Sequence, residues 1–252
     1  MAGLVLYSFA ISHYCEKVRW ALDLSGLPYR EACLAPGLHA RIARKMAPRR
    51  SLPILRSGGT AVQGSAAVLD WLAQAHPAAA LPADAAGRAI EARLDEAAGP
   101  AVRQMFYAAA LTRHPDRVRQ AVFHRVPLWQ RLLAWPLFPA IRRALIDKLP
   151  ARPADFAAAR DRLDAELAWL DGLLADGRPN LSGDRFGRAD LAAASLLAVV
   201  AAPPEHPVYP HLAAPAEEFA AAARAWAERP CLRHVRRLYR EHRRPGALPG
   251  AA

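Results

Sequence analysis

Lysine is almost missing from this 252-residue chain. Only Lys17, Lys45 and Lys148 occur, so the net charge of +11 rests on arginine in an Ala- and Pro-rich background. That excess alone points to no nucleic acid, because a recognised module or base-reading aromatics would have to accompany it and neither is present. Cysteine is scarce as well. Cys15, Cys33 and Cys231 are odd in number and lack metal-ligand spacing, which argues against a disulfide frame and a metal site and for reduced thiols in a cytosol. Long apolar runs are absent: Leu132 to Ile141 is ten residues with two prolines, against the roughly 20 that a spanning helix needs. Met1 is followed at once by a strand pattern rather than a charged and then apolar leader. The expectation is a soluble, cytoplasmic protein. No Walker loop, dinucleotide fingerprint or internal repeat appears.

The informative stretch is 12–29. Leu4-Val5-Leu6-Tyr7 reads as a strand, followed directly by Ser12 and Cys15 at the mouth of a helix. Tyr14, Val18, Ala21 and Leu22 fall at helical spacing, and Gly26 with Pro28 is a stop signal. A helix N-terminus presents backbone N–H groups and a positive dipole end, so a sulfur anion is stabilised there.

Residues 29–34 read as a second strand and 39–46 as a short helix. Residues 53–63 read as a hairpin around Gly58-Gly59, and Gly64-Ser65 opens a helix bearing Val68, Leu69 and Leu72. The order β-α-β-α-β-β-α defines a first domain over 1–75. Residues 76–86 read as a linker. Helices over about 87–112, 116–125, 128–148, 154–175, 188–202, 212–228 and 231–243 define an all-helical domain, 87–245, with a tail of 246–252.

Several residues can carry chemistry. Ser12 stands where a Cys-x-x-Cys protein has its nucleophile. A serine forms no disulfide, but it can donate a hydrogen bond to a bound thiolate, or simply cap the helix. Cys15 reads as a buried small hydrophobe or as a thiol for exchange. Tyr7 can offer a phenol or pack in the strand. If Leu52-Pro53 is cis, the Leu52 backbone turns toward the site to pair with an extended peptide; if trans, it is an ordinary strand start. Ser65 at a helix start suits a carboxylate, or is a plain N-cap.

Taken together, the Ser-His-Tyr-Cys-Glu-Lys-Val-Arg-Trp-Ala-Leu-Asp run, the 47–55 segment ending in Leu52-Pro53-Ile54-Leu55, and Gly64-Ser65-Ala66-Ala67-Val68-Leu69 resemble the N-terminal domain of bacterial glutathione transferases. Residues 183–191 resemble that superfamily's buried capping segment, with Gly187 at the cap and Asp190 three residues on. The resemblance implies a thioredoxin-like N-terminal domain followed by an all-helical C-terminal domain, with glutathione as co-substrate in the cleft and no metal. It implies that Ser12 activates the glutathione thiol, that Leu52 beside a cis Pro53 binds the cysteinyl backbone, and that Gly64 and Ser65 adjoin the γ-glutamyl carboxylate held by Ser65. Where the family commonly has Glu or Gln before the serine, this chain has Gly64. Gln63 comes one residue early, and strand alternation aims it away.

The expected reaction is attack of glutathione thiolate on a small hydrophobic electrophile. The alternatives are a non-enzymatic binding module on the same fold, membrane-associated through 124–149, and thiol exchange through Cys15. A homodimer is left open. For the apolar, Arg-dotted stretch 124–149 the order of expectation is a packed helical roof, then a pocket for the electrophile lined by Trp129, Trp135 and Phe138, then a surface lying on anionic lipid.

Overall fold

The structure is a computed structural model that describes residues 3–243; the expected tail of 246–252 lies outside the described residues. Four strands form one mixed sheet: β1 (Leu4–Ser8), β2 (Tyr29–Cys33), β3 (Ile54–Ser57) and β4 (Thr60–Gln63), in the order β2-β1-β3-β4. β1 and β2 run parallel, joined by helix α1 (His13–Ser25), while β3 is antiparallel to both β1 and β4. The hairpin turn falls at Gly58-Gly59, between Ser57 and Thr60, as the paired glycines imply. Helices α2 (Leu38–Arg44) and α3 (Ser65–Ala75) complete the β-α-β-α-β-β-α order. α1 packs on α3. Val18, Trp20, Leu22, Val68, Leu69 and Leu72 are buried with Leu6 and Ile54 of the sheet.

The helical elements are α4 (Ala85–Arg93), running through a π-turn at 94–98 into α5 (Gly99–Ala110), then α6 (Pro115–Val122), α7 (Leu128–Ala134), α8 (Phe138–Lys148), α9 (Phe156–Leu173), α10 (Arg188–Ala201), α11 (Glu217–Trp226) and α12 (Pro230–His242). Pro136 divides the expected 128–148 helix into α7 and α8. α4 starts inside the expected linker, where the Asp84 side chain caps it by accepting from the Gly87 N–H at 2.6 Å.

Packing divides the chain into two units, with breaks between Ala80 and Leu81, inside the 76–86 stretch, between Val118 and Arg119, and between Ile141 and Arg142. Among the described residues the first unit holds 3–80 together with Arg119–Ile141; the second holds Leu81–Val118 and 142–243. Hydrogen bonding explains the first unit's second piece. The Ala35 N–H, just past β2, donates to Gln130 Oε1 of α7 at 2.9 Å, and both groups are buried. Arg125, between α6 and α7, reaches Glu31 of β2 at 3.5 Å. Glu31 is the hub of a buried charge network: it accepts from Ser8 Oγ at 2.6 Å and from Arg19 of α1 at 2.7 Å, and Arg19 also holds Glu16. Burial alone would raise the Glu31 pKa. The Arg19 guanidinium outweighs it and, with Ser8 and Arg125, holds the carboxyl below its usual range.

The second unit is built around α10, which is apolar on nearly every side and packs on α12, α4 and α5. Asp190 near its start accepts from the N–H groups of Gly187 at 3.1 Å and Leu181 at 2.9 Å and contacts His234 Nε2 at 3.0 Å. Arg188 pairs with Glu91 of α4, both buried, at 2.7 and 3.1 Å. Glycine at the 187 cap has a steric reason: a Cβ there would come within 2.7 Å of the Pro82 carbonyl oxygen. The position has no room for a side chain.

Candidate active site

Sheet register gathers the candidate residues. Tyr7 of β1 lies opposite Ile54 of β3, and Ile54 opposite Gln63 of β4, so the end of β1, the start of β3 and the end of β4 form one edge of the sheet. From that edge β1 runs through Phe9–Ile11 to Ser12, Leu52-Pro53 enters β3, and β4 leaves through Gly64 into Ser65. The Gly64 N–H donates to the Pro53 carbonyl at 3.0 Å, closing the corner between the last two.

Ser12 is the N-cap of α1, half-buried, in extended backbone at φ −78° and ψ 121°. Its Oγ accepts from the Cys15 N–H at 3.3 Å. A hydroxyl that accepts through one lone pair still carries its proton, so capping and donation to a bound sulfur are compatible roles. Cys15 itself is fully buried, and the Phe9 N–H points at its Sγ from 3.4 Å. Burial pushes this thiol up to about 11, against the opposing pull of the Ser12 hydroxyl, the Phe9 N–H and Arg19. The helix N-terminus therefore does not make Cys15 a thiolate near neutral pH, which argues against thiol exchange through it. Tyr7 is half-buried in β1.

The Leu52-Pro53 bond is cis. Leu52 is half-buried and Pro53 buried. Ser65 is buried too, but it is the first residue of α3 and not its cap; the cap is Gly64, at φ 105° and ψ 147°. That left-handed region favours glycine, and a glycine there contributes no capping side chain.

Sequence reasoning missed the group that fixes this corner. The Gln63 side chain is buried and turns onto the loop before Leu52: its Oε1 accepts from the Arg49 N–H at 3.0 Å, and its Nε2 donates to the carbonyls of Arg49 and Ser51, each at 2.8 Å. Arg49 answers by donating from its guanidinium to the Gln63 carbonyl at 3.3 Å. A carboxamide at the end of β4 thus serves the 49–51 loop as a short strand would. The available signal was an amide side chain ending the hairpin beside a loop too polar to pack.

Residues 6–80 match the family described as "Glutathione S-transferase, N-terminal domain", and residues 128–222 the one described as "Glutathione S-transferase, C-terminal domain". The chain belongs to the glutathione S-transferase superfamily. The two matches run in the superfamily's domain order, and Ser12, Leu52, Pro53, Gly64 and Ser65 all lie within the first. A solved glutathione S-transferase of Ceriporiopsis subvermispora, in complex with glutathione, aligns at a TM-score of 0.66 over 95% of this chain and 97% of that one, at 17% identity. One from Methylobacterium radiotolerans, in complex with glutathione sulfonate, aligns at 0.54 over 93% and 94%, at 25% identity. Among curated proteins, the maleylpyruvate isomerase of a Ralstonia species is 37% identical over 87 residues, 33% of this chain. That match spans 41% of the relative's length. Among the described residues no group of His, Cys, Asp and Glu is placed to hold a metal ion, and no helix is long and apolar enough to cross a membrane.

Proposed function

We propose that this chain binds glutathione at the sheet edge formed by Ser12, Leu52-Pro53 and Gly64-Ser65, and uses its thiolate to attack a small hydrophobic electrophile. The observation that carries the reading is Ser12: a half-buried hydroxyl at the N-terminus of α1, immediately after β1, in a chain of this superfamily. In the step proposed, the glutathione thiol yields its proton to solvent. The Ser12 hydroxyl and the α1 dipole hold the resulting thiolate, and a carbon–sulfur bond forms as the electrophile's leaving group departs with its electron pair. Cys15 takes no part, because its burial keeps it a neutral thiol.

A second reading shares the first half of that step. The resemblance to a maleylpyruvate isomerase over 87 residues favours a substrate whose carbon–carbon double bond accepts the thiolate and later expels it after rotation, with no net consumption of glutathione. Glutathione consumption measured against product formed separates the two.

Titration calorimetry with glutathione tests the site they share. Heat is expected with the folded protein, and Ser65→Ala should weaken binding because a carboxylate loses a donor. Absence of heat at millimolar glutathione would sink both readings and leave the binding module on a transferase fold.

A further inference from the structure

The 119–141 segment turns one side inward and leaves the other uncovered. Gln130, Ala134 and Phe138 are buried, and Phe123 packs on Trp135 and Phe138. Leu128, Trp129, Leu132, Leu133 and Leu137 are each between 56% and 69% exposed. At 100° per residue Leu128, Trp129, Leu132 and Leu133 span about 140° of α7, opposite Gln130 and Ala134, and Leu137 follows in the turn before α8. The expected packed roof holds for Trp135 and Phe138 and fails for the outer face. Trp129 lies on the outside instead of lining a pocket with those two.

Five such side chains expose on the order of 500 Å² of apolar surface, the size of the largest patch on a typical monomer, which is often functional. The charge around it selects the partner. From Arg119 to Ile141 the chain has three arginines and no acidic residue. Arg131 is exposed. Arg131 stacks its guanidinium 5.6 Å from the Trp135 ring and has no carboxylate partner among the described residues.

We infer that this face docks on an anionic lipid bilayer, with Leu128, Trp129, Leu132, Leu133 and Leu137 entering the headgroup boundary and Arg131 meeting lipid phosphate. An amphipathic helix lying in the interface plane has this composition. A second copy of the chain fits less well, since a two-fold contact through this face would set an acid-free, arginine-bordered surface against itself.

The test uses the full chain and sedimentation with vesicles of phosphatidylglycerol mixed with phosphatidylcholine, beside vesicles of phosphatidylcholine alone. Retention is expected on the anionic vesicles at low salt, falling at least tenfold as salt screens the arginines. Leu132→Glu and, separately, Leu137→Ser should each lose at least tenfold in vesicle affinity with an unchanged melting temperature, because both side chains are largely solvent-exposed. Trp129→Phe should still bind, but without the blue shift in emission that the parent shows on binding. Equal retention on both vesicle types, or retention indifferent to Leu132→Glu and Leu137→Ser, overturns the inference. So does a concentration-dependent dimer, found without vesicles and split by Leu132→Glu, in a protein that vesicles do not retain.

Discussion

Replacing Gln63 by alanine removes three hydrogen bonds that tie the 49–51 loop to the end of β4, at 3.0, 2.8 and 2.8 Å. A typical intramolecular hydrogen bond contributes about 1 kcal/mol net, so three give an upper figure of about 3 kcal/mol. Arg49, Arg50 and Ser51 are themselves exposed, so water replaces part of the loss. The expected destabilisation is about 1 to 3 kcal/mol, read by urea unfolding. The loop leads straight into Leu52, so a chain that must order it on binding should also hold glutathione about tenfold more weakly, which corresponds to about 1.4 kcal/mol. Gln63→Glu sharpens the test. A carboxylate keeps the acceptor for the Arg49 N–H but sets negative charge against two carbonyl oxygens, so at neutral pH it should be worse than alanine. It should recover on acidification, when the carboxyl gains a proton to donate. If Gln63→Ala unfolds within about 0.5 kcal/mol of the parent and Gln63→Glu shows no recovery in acid, the clamp does not hold the loop.

Ser12→Ala should lose about 1 kcal/mol of stability as a cap is removed and raise the pH of half-maximal conjugation; Ser12→Asp should restore the cap but, with no proton to donate, not the pH profile, so stability and rate data together separate the two roles. Cys15 is pushed up from the 9.0 of an ordinary cysteine to about 11 in the folded chain, so the neutral thiol stabilises the fold fully below pH 9 and this contribution of about 3 kcal/mol disappears as pH rises from 9 to 11. Cys15→Ala should flatten that alkaline loss in a series of melting curves, and a curve as steep as the parent's would contradict it. Gly187→Ser should destabilise the protein despite serine's better capping, because the added Cβ meets the Pro82 carbonyl at 2.7 Å; a melting temperature at or above the parent's would refute the steric argument.

The first unit's sheet and helices were legible because each is written locally: alternation in β1, the Gly58-Gly59 turn, the Ser12 and Gly26 ends of α1. What pattern reading could not reach was pairing between distant residues. Gln63 faces the 49–51 loop, a partner that strand alternation does not specify, and Glu31 meets Arg125 across more than ninety positions. The helix over 128–148 was visible as periodic, but which side would be covered depended on Gln130 finding Ala35. Among the candidate residues, Ser12 stood out by residue type and place. The conformation that requires glycine at 64 left no mark that the sequence alone would distinguish from a plain cap.

Because Glu31 takes Arg125 as a counter-ion and the Ala35 amide takes Gln130 as its acceptor, the first eighty residues are not a transferable module. A chimera that grafts them onto a relative's helical half would take the acceptor from the buried Ala35 amide and leave Glu31 to Arg19 and Ser8 alone. Position 130 must keep an acceptor for that amide, which belongs to the backbone whatever residue stands at 35, and a change at 31 must be matched at both 19 and 125. Inheritance in this protein therefore couples two stretches that the chain keeps apart, and a productive crossover has to exchange 119–141 along with the sheet.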